Sequence, residues 1–84
     1  MDLVPDKTAF DVVSDFLSSA PPMEAIATYR LPDDLQQRAH ALLEKNREGT
    51  LSESERAEME EFRQIDHLLT MIKAKARLKL KAQS

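Results

Sequence analysis

Met59-Glu60-Glu61-Phe62-Arg63-Gln64-Ile65-Asp66-His67-Leu68-Leu69-Thr70-Met71-Ile72-Lys73-Ala74-Lys75-Ala76-Arg77-Leu78-Lys79-Leu80 is the stretch from which the fold can be read. Met59, Phe62, Ile65, Leu69, Ile72, Ala76 and Leu80 recur at an average of about 3.5 residues, the spacing of a coiled-coil seam. No Pro or Gly interrupts residues 53–82, so the pattern predicts one continuous helix, roughly 45 Å long at about 1.5 Å per residue. Its closing residues 73–81 alternate every second position, which taken alone is a strand signal. Ala, Lys, Leu and Arg are strong helix formers and continue an established register, so helix is expected to prevail there.

Working back from this helix, Ser52-Glu53-Ser54-Glu55 has the form of a capping box, with the Ser hydroxyl and the Glu carboxylate each serving a free backbone amide. Gly49 is the only glycine in the chain, and glycine adopts the left-handed turn that ends a helix at little cost. A third helix is therefore expected to run from Pro32-Asp33-Asp34 to Gly49, burying Leu35, Ala39, Leu42 and Leu43. The short link makes the third and fourth helices antiparallel neighbours, an αα-hairpin.

Nearer the amino terminus, Phe10, Val13, Phe16, Leu17 and Ala20 predict a helix over about residues 7–19, capped by Asp6 or by Thr8 with Asp11. Pro21-Pro22 ends it. A short second helix over about residues 23–28 would bury Met23, Ile26 and Ala27, although residues 26–31 also suit an extended segment.

The expected architecture is all-α: one helical domain over residues 1–84, with an N-terminal helix and Pro-Pro break in 1–22. A helical hairpin over 31–82 carries the long C-terminal helix, with coiled-coil-like packing. The seam exceeds what the third helix alone can cover. The first helix, a second copy or a different protein is expected along its C-terminal half.

Composition agrees with a small globular helical domain: 84 residues, 42% hydrophobic and 32% charged, with no Cys, no Trp and three Phe. At this size folding hides only about 60–65% of the surface of the unfolded chain, so a pairing or an oligomer would supply missing core. Charge is divided. Through Ile72 there are 15 acids against 7 Lys or Arg, while Lys73, Lys75, Arg77, Lys79 and Lys81 follow with no acid among them. An acidic body with a basic end favours partners of complementary pattern.

Enzymatic chemistry finds no foothold. His40 and His67 fall on different helices, and Gln37 and Gln64 stand where a di-iron helix would carry Glu, so no metal site is expected. Glu53, Glu55, Glu58, Glu60 and Glu61 read as a solvated helix start that complements the dipole. One glycine cannot build a phosphate-cradling loop, no Ser sits in a nucleophile turn, and no cofactor is expected.

Nucleic acid is the secondary alternative. Thr28-Tyr29-Arg30-Leu31-Pro32-Asp33-Asp34-Leu35 resembles the strand-to-helix junction of ribbon-helix-helix repressors. In that reading Arg30, Lys73, Lys75, Arg77, Lys79 and Lys81 contact DNA, or otherwise an acidic partner. No apolar run approaches the roughly 18–20 residues that span a bilayer, and Leu78 and Leu80 lack an aromatic anchor for a lipid surface. The acidic start Met1-Asp2-Leu3-Val4-Pro5-Asp6 is unlike a secretory signal, so a cytoplasmic protein is expected.

Leu31-Pro32 with Leu35-Gln36, the run from Leu42 to Ser52, Phe62, Ile65, His67-Leu68-Leu69, and Lys73-Ala74-Lys75-Ala76-Arg77 carry a family likeness. Across residues 31–77 the chain resembles an uncharacterised family of small helical bacterial proteins often encoded beside nucleases, notably of the HNH type. The resemblance implies an antitoxin-like or accessory role and brings no catalytic residues; residues 1–22 match less well. The expected function is a non-catalytic protein-binding module. Its partner, a nuclease or toxin or a second copy of the chain, would meet Met59, Phe62, Ile65, Leu69, Ile72, Ala76 and Leu80. A self-assembling structural protein is the third alternative.

Overall fold

The computed structural model describes residues 7–83, and the helix boundaries follow from local chemistry. The Thr8 hydroxyl accepts from the Asp11 amide at 3.1 Å while the Asp11 carboxylate accepts from the Thr8 amide at 3.4 Å, a capping box that starts α1 (Ala9–Ser18). Asp6, the other expected cap, lies outside the described residues. The helix stops before Pro21, with Ala20 at φ 54°, a left-handed conformation glycine ordinarily takes. Pro22 then leads into α2 (Met23–Ala27), its carbonyl accepting from the Ala25 and Ile26 amides.

α3 (Asp33–Glu48) carries Asp33 and Asp34 in its first turn, at the positive end of the helix dipole. Gly49 at φ 73° ends it, and the Gly49 and Thr50 amides donate back to the Asn46 and Lys45 carbonyls at 3.1 and 2.9 Å. That paired turn is the Schellman arrangement. Ser52 and Glu55 form the second capping box, at 3.1 and 3.0 Å, and open α4 (Glu53–Gln83). The closing residues 73–81, alternating pattern notwithstanding, are helical.

No strand occurs among the described residues. Of residues 26–31, open to an extended reading, Ile26 and Ala27 end α2 and Thr28 turns the chain, its hydroxyl donating to the Glu24 carbonyl at 2.9 Å and the Tyr29 amide to the Ile26 carbonyl at 3.2 Å; residues 29–31 link to α3. Thr28, at φ −109° and ψ 10°, is not extended.

The molecule measures 48 × 23 × 17 Å, with α4 long enough to span its longest dimension. Ile65, 1% exposed, meets Ala9 and Val13 of α1, and Leu17, Tyr29, Leu31, Phe62 and Leu69 pack around them. Phe16 and Tyr29 stack with ring centroids 4.2 Å apart, tying α1 to the α2–α3 link. Farther along α4, Ala76 is 2% exposed and α2 lies against the helix, where an Arg77 N–H donates to the Ala27 carbonyl at 3.2 Å.

This arrangement differs from the expectation that the first helix, a second copy or a different protein covers the C-terminal half of the seam. α2, too short to promise much, supplies the cover. Ile65 and Ala76, named as partner-binding residues, are internal to one chain. Met59, Phe62, Leu69, Ile72 and Leu80 are half-buried.

Two other placements differ from the expectation. On α3 the inner face is Leu35, Arg38 and Leu42, while Ala39 is half-buried and Leu43 is 51% exposed. At about 100° per residue the first three fall within about 60° of one another, and Leu43 stands about 100° beyond Leu42. On α1, Phe10 lies similarly at the edge of the stripe and is exposed, with Ala9 taking the inner position.

Ile65→Ala is expected to lower unfolding free energy by about 3 kcal/mol, since the cavity lies where α1 and α4 meet. Leu78→Ala, at a 67% exposed site on the same helix, should change it by less than about 0.5 kcal/mol. Urea denaturation compares them, and equal losses would contradict this core.

Candidate protein-docking groove

Two ion pairs set the relation of α3 to the start of α4. Arg38, only 8% exposed, presents Nε and Nη2 to the two oxygens of Glu58 at 2.8 Å each, a bidentate contact. A guanidinium at an inner helix position is tolerable only when charge and donors are both matched, and Glu58 meets that demand. Two turns nearer the link on α3, Lys45 pairs with Glu55.

Glu55 has a second task, because its carboxylate also accepts the Ser52 amide of the capping box. The Lys45 ammonium first, and the Ser52 amide second, hold its carboxyl down to about 2, well below the usual carboxylate range. Helix start and inter-helix contact are therefore served by one side chain.

Beside these pairs α3 and α4 line a half-open groove of about 470 Å³. Its apolar surface comes from Leu31, Ala39, Leu42 and Leu43 on one side and Met59 and Phe62 on the other. Gln36, His40, Arg63 and Asp66 stand around it. The Gln36 side chain is fixed by donation to the Leu31 carbonyl at 2.7 Å, and the Arg63 guanidinium is held by Glu60. An apolar floor with a charged and amide rim suits an apolar side-chain row on a partner segment.

Among the described residues, no three His, Cys, Asp or Glu side chains come together as a metal-binding group. His40 is exposed at the groove and His67 is exposed on α4. No helix of the described residues is long and apolar enough to cross a membrane.

No protein family, curated protein or solved structure matches the chain. What the surface can do is therefore judged on its own geometry.

Of the residues expected to meet a partner, Met59 and Phe62 line the groove, Leu69 borders the Ile65 core, and Ile65 and Ala76 are internal. The basic residues do not form one face. Successive odd positions on a helix lie about 200° apart, so Lys73, Arg77 and Lys81 follow one side and Lys75 and Lys79 the other. Lys73 is half-buried, Arg77 bonds Ala27, and Arg30, Lys75 and Lys79 are exposed.

Leu43, Leu68, Met71 and Leu78 are exposed apolar side chains that the leading seam overshadowed. A signal for three of them was present. Leu68, Met71 and Leu78 belong to a second row at alternating three- and four-residue spacing, with Lys75 between them.

Glu55 yields a pH prediction with a definite sign. A folded carboxyl at about 2 against an ordinary 4.5 means that the unfolded chain takes up the proton first. The Lys45–Glu55 contribution is complete above the ordinary value and is lost as pH falls toward about 2. Urea unfolding of the protein and of Glu55→Gln should give midpoints that differ near neutrality and converge on acidification; a gap independent of pH would refute the assignment.

Proposed function

We propose that the protein is a non-catalytic helical binding module that receives an apolar, helical segment of a partner protein in the groove between α3 and α4. In this reading the two helices act as a hairpin with a coiled-coil-like seam, and Arg38–Glu58 and Lys45–Glu55 brace the helices beside the groove. The observation that carries it is Leu43. A leucine 51% exposed beside an apolar floor is an unfinished contact, and such residues anchor helix-in-groove complexes.

The partner class that fits best is a cytoplasmic nuclease or toxin protein, on the strength of the resemblance over residues 31–77. An antitoxin-like subunit needs a surface of this kind and no chemistry of its own. Charge would orient the encounter, acidic near the start of α4 and basic near its end.

Co-expression with the product of the adjacent gene, followed by co-purification, tests the reading. The two are expected to elute together. Leu43→Arg should abolish the complex while leaving helicity and thermal midpoint nearly unchanged, because Leu43 contributes little to the chain's own core. Separate elution of the wild-type pair, or a complex indifferent to Leu43→Arg, would overturn it.

A further inference from the structure

The C-terminal third of α4 carries a second inference. Leu78, 67% exposed, points away from the Ala76 side that α2 covers, about 160° around the helix. Met71, 46% exposed, and the exposed Ala74 and Ala82 fall within about 40° of Leu78 and complete an apolar strip. Leu80, by contrast, is half-buried on the opposite side.

Cations border this strip along both edges. Lys75 and Lys81 lie about 60° to either side of Leu78, Lys79 and Arg77 about 100° to either side, and all four are exposed. One Arg77 N–H is used at the Ala27 carbonyl. No acid follows Asp66, which lies roughly 13 Å along the axis from Lys75, beyond the Debye length of about 8 Å at physiological ionic strength. The one acid of α2, Glu24, belongs to the helix packed on the far side.

We infer that this end of α4 lies on an anionic lipid surface, with Leu78 and Met71 entering the headgroup boundary and the bordering cations reaching lipid phosphates. Charge complementarity sets the sign of the occupant, and the placement of the strip sets its kind. A nucleic-acid backbone would take the cations and leave Leu78 and Met71 in water. An acidic helix would cover a narrow seam, whereas these cations span about 200° of the circumference. A headgroup layer surrounds a half-sunk helix and meets strip and borders together, the long Lys and Arg stems extending to the phosphates.

The net charge of −3 does not oppose this contact, because the excess of acid lies before Lys73. With no Trp or Phe in the strip the contact is shallow and reversible, and it weakens as salt rises. The α3–α4 groove takes no part in it.

Flotation of the chain with vesicles tests the inference. At low ionic strength the chain should float with vesicles of equal phosphatidylglycerol and phosphatidylcholine, stay behind with phosphatidylcholine alone, and be released by added salt. Each Lys near such a surface is worth about fivefold in affinity, so Lys75→Gln combined with Lys79→Gln should weaken binding about 25-fold. Leu78→Ser should weaken it severalfold at unchanged charge and with helicity retained, since that site is exposed. A DNA duplex should bind the wild-type chain less tightly than the vesicles and be indifferent to Leu78→Ser. Leu43→Arg should float like wild type, which separates failure here from failure of the groove reading. A wild-type chain left behind by anionic vesicles, flotation indifferent to Leu78→Ser, or tighter binding to duplex than to vesicles would overturn the inference.

Discussion

Burial of one side chain, Ile65, organises the molecule. A 31-residue helix with half its face apolar cannot stand alone in water, and its stability comes from what lies against that face rather than from helix propensity. Ile65 is where α1, the α2–α3 link and α4 converge. α2 extends the shelter to Ala76 and α3 extends it toward Met59, so three short helices share the work of covering one long one.

The polar contacts determine how those helices sit rather than whether they associate. Arg38 is held at an inner position of α3 by the two oxygens of Glu58, and removing either partner would leave a charge poorly matched. Lys45 and Glu55 repeat the tie beside the Gly49 turn. Such matched contacts add little net energy over an apolar replacement, but they penalise any sliding of α3 along α4. The α3–α4 groove lies beside these ties: Leu43, two residues from Lys45, stays 51% exposed while Leu35 and Leu42 are buried.

Helix ends were the most legible part of the sequence. Thr8 with Asp11, Pro21-Pro22, Gly49, and Ser52 with Glu55 each act through backbone geometry within a few residues, and each appears where local chemistry puts it. Tertiary placement was less legible. Phe10 and Leu43 sit at the margin of their apolar stripes, and only the position of a neighbouring helix decides that both remain exposed while Arg38 goes inside. The cover supplied by α2 was equally hidden, since five residues announce a helix weakly and say nothing of where it docks. Of the candidate site, Met59 and Phe62 could be read from periodicity; Leu43 could not, because periodicity cannot tell an inner apolar residue from an unpartnered one.

The inner face and the outer face of α4 consequently have different roles, one completing the chain's own core and the other remaining on the surface. Native-state amide hydrogen exchange on a dilute, monomeric sample tests that division most directly. The account predicts that amides on the Ile65 side, through Ala76, exchange slowest in the molecule and keep their protection on dilution. Exchange of the C-terminal half of α4 at rates near those of an isolated peptide would contradict it, showing that the chain's own helices do not shelter the seam.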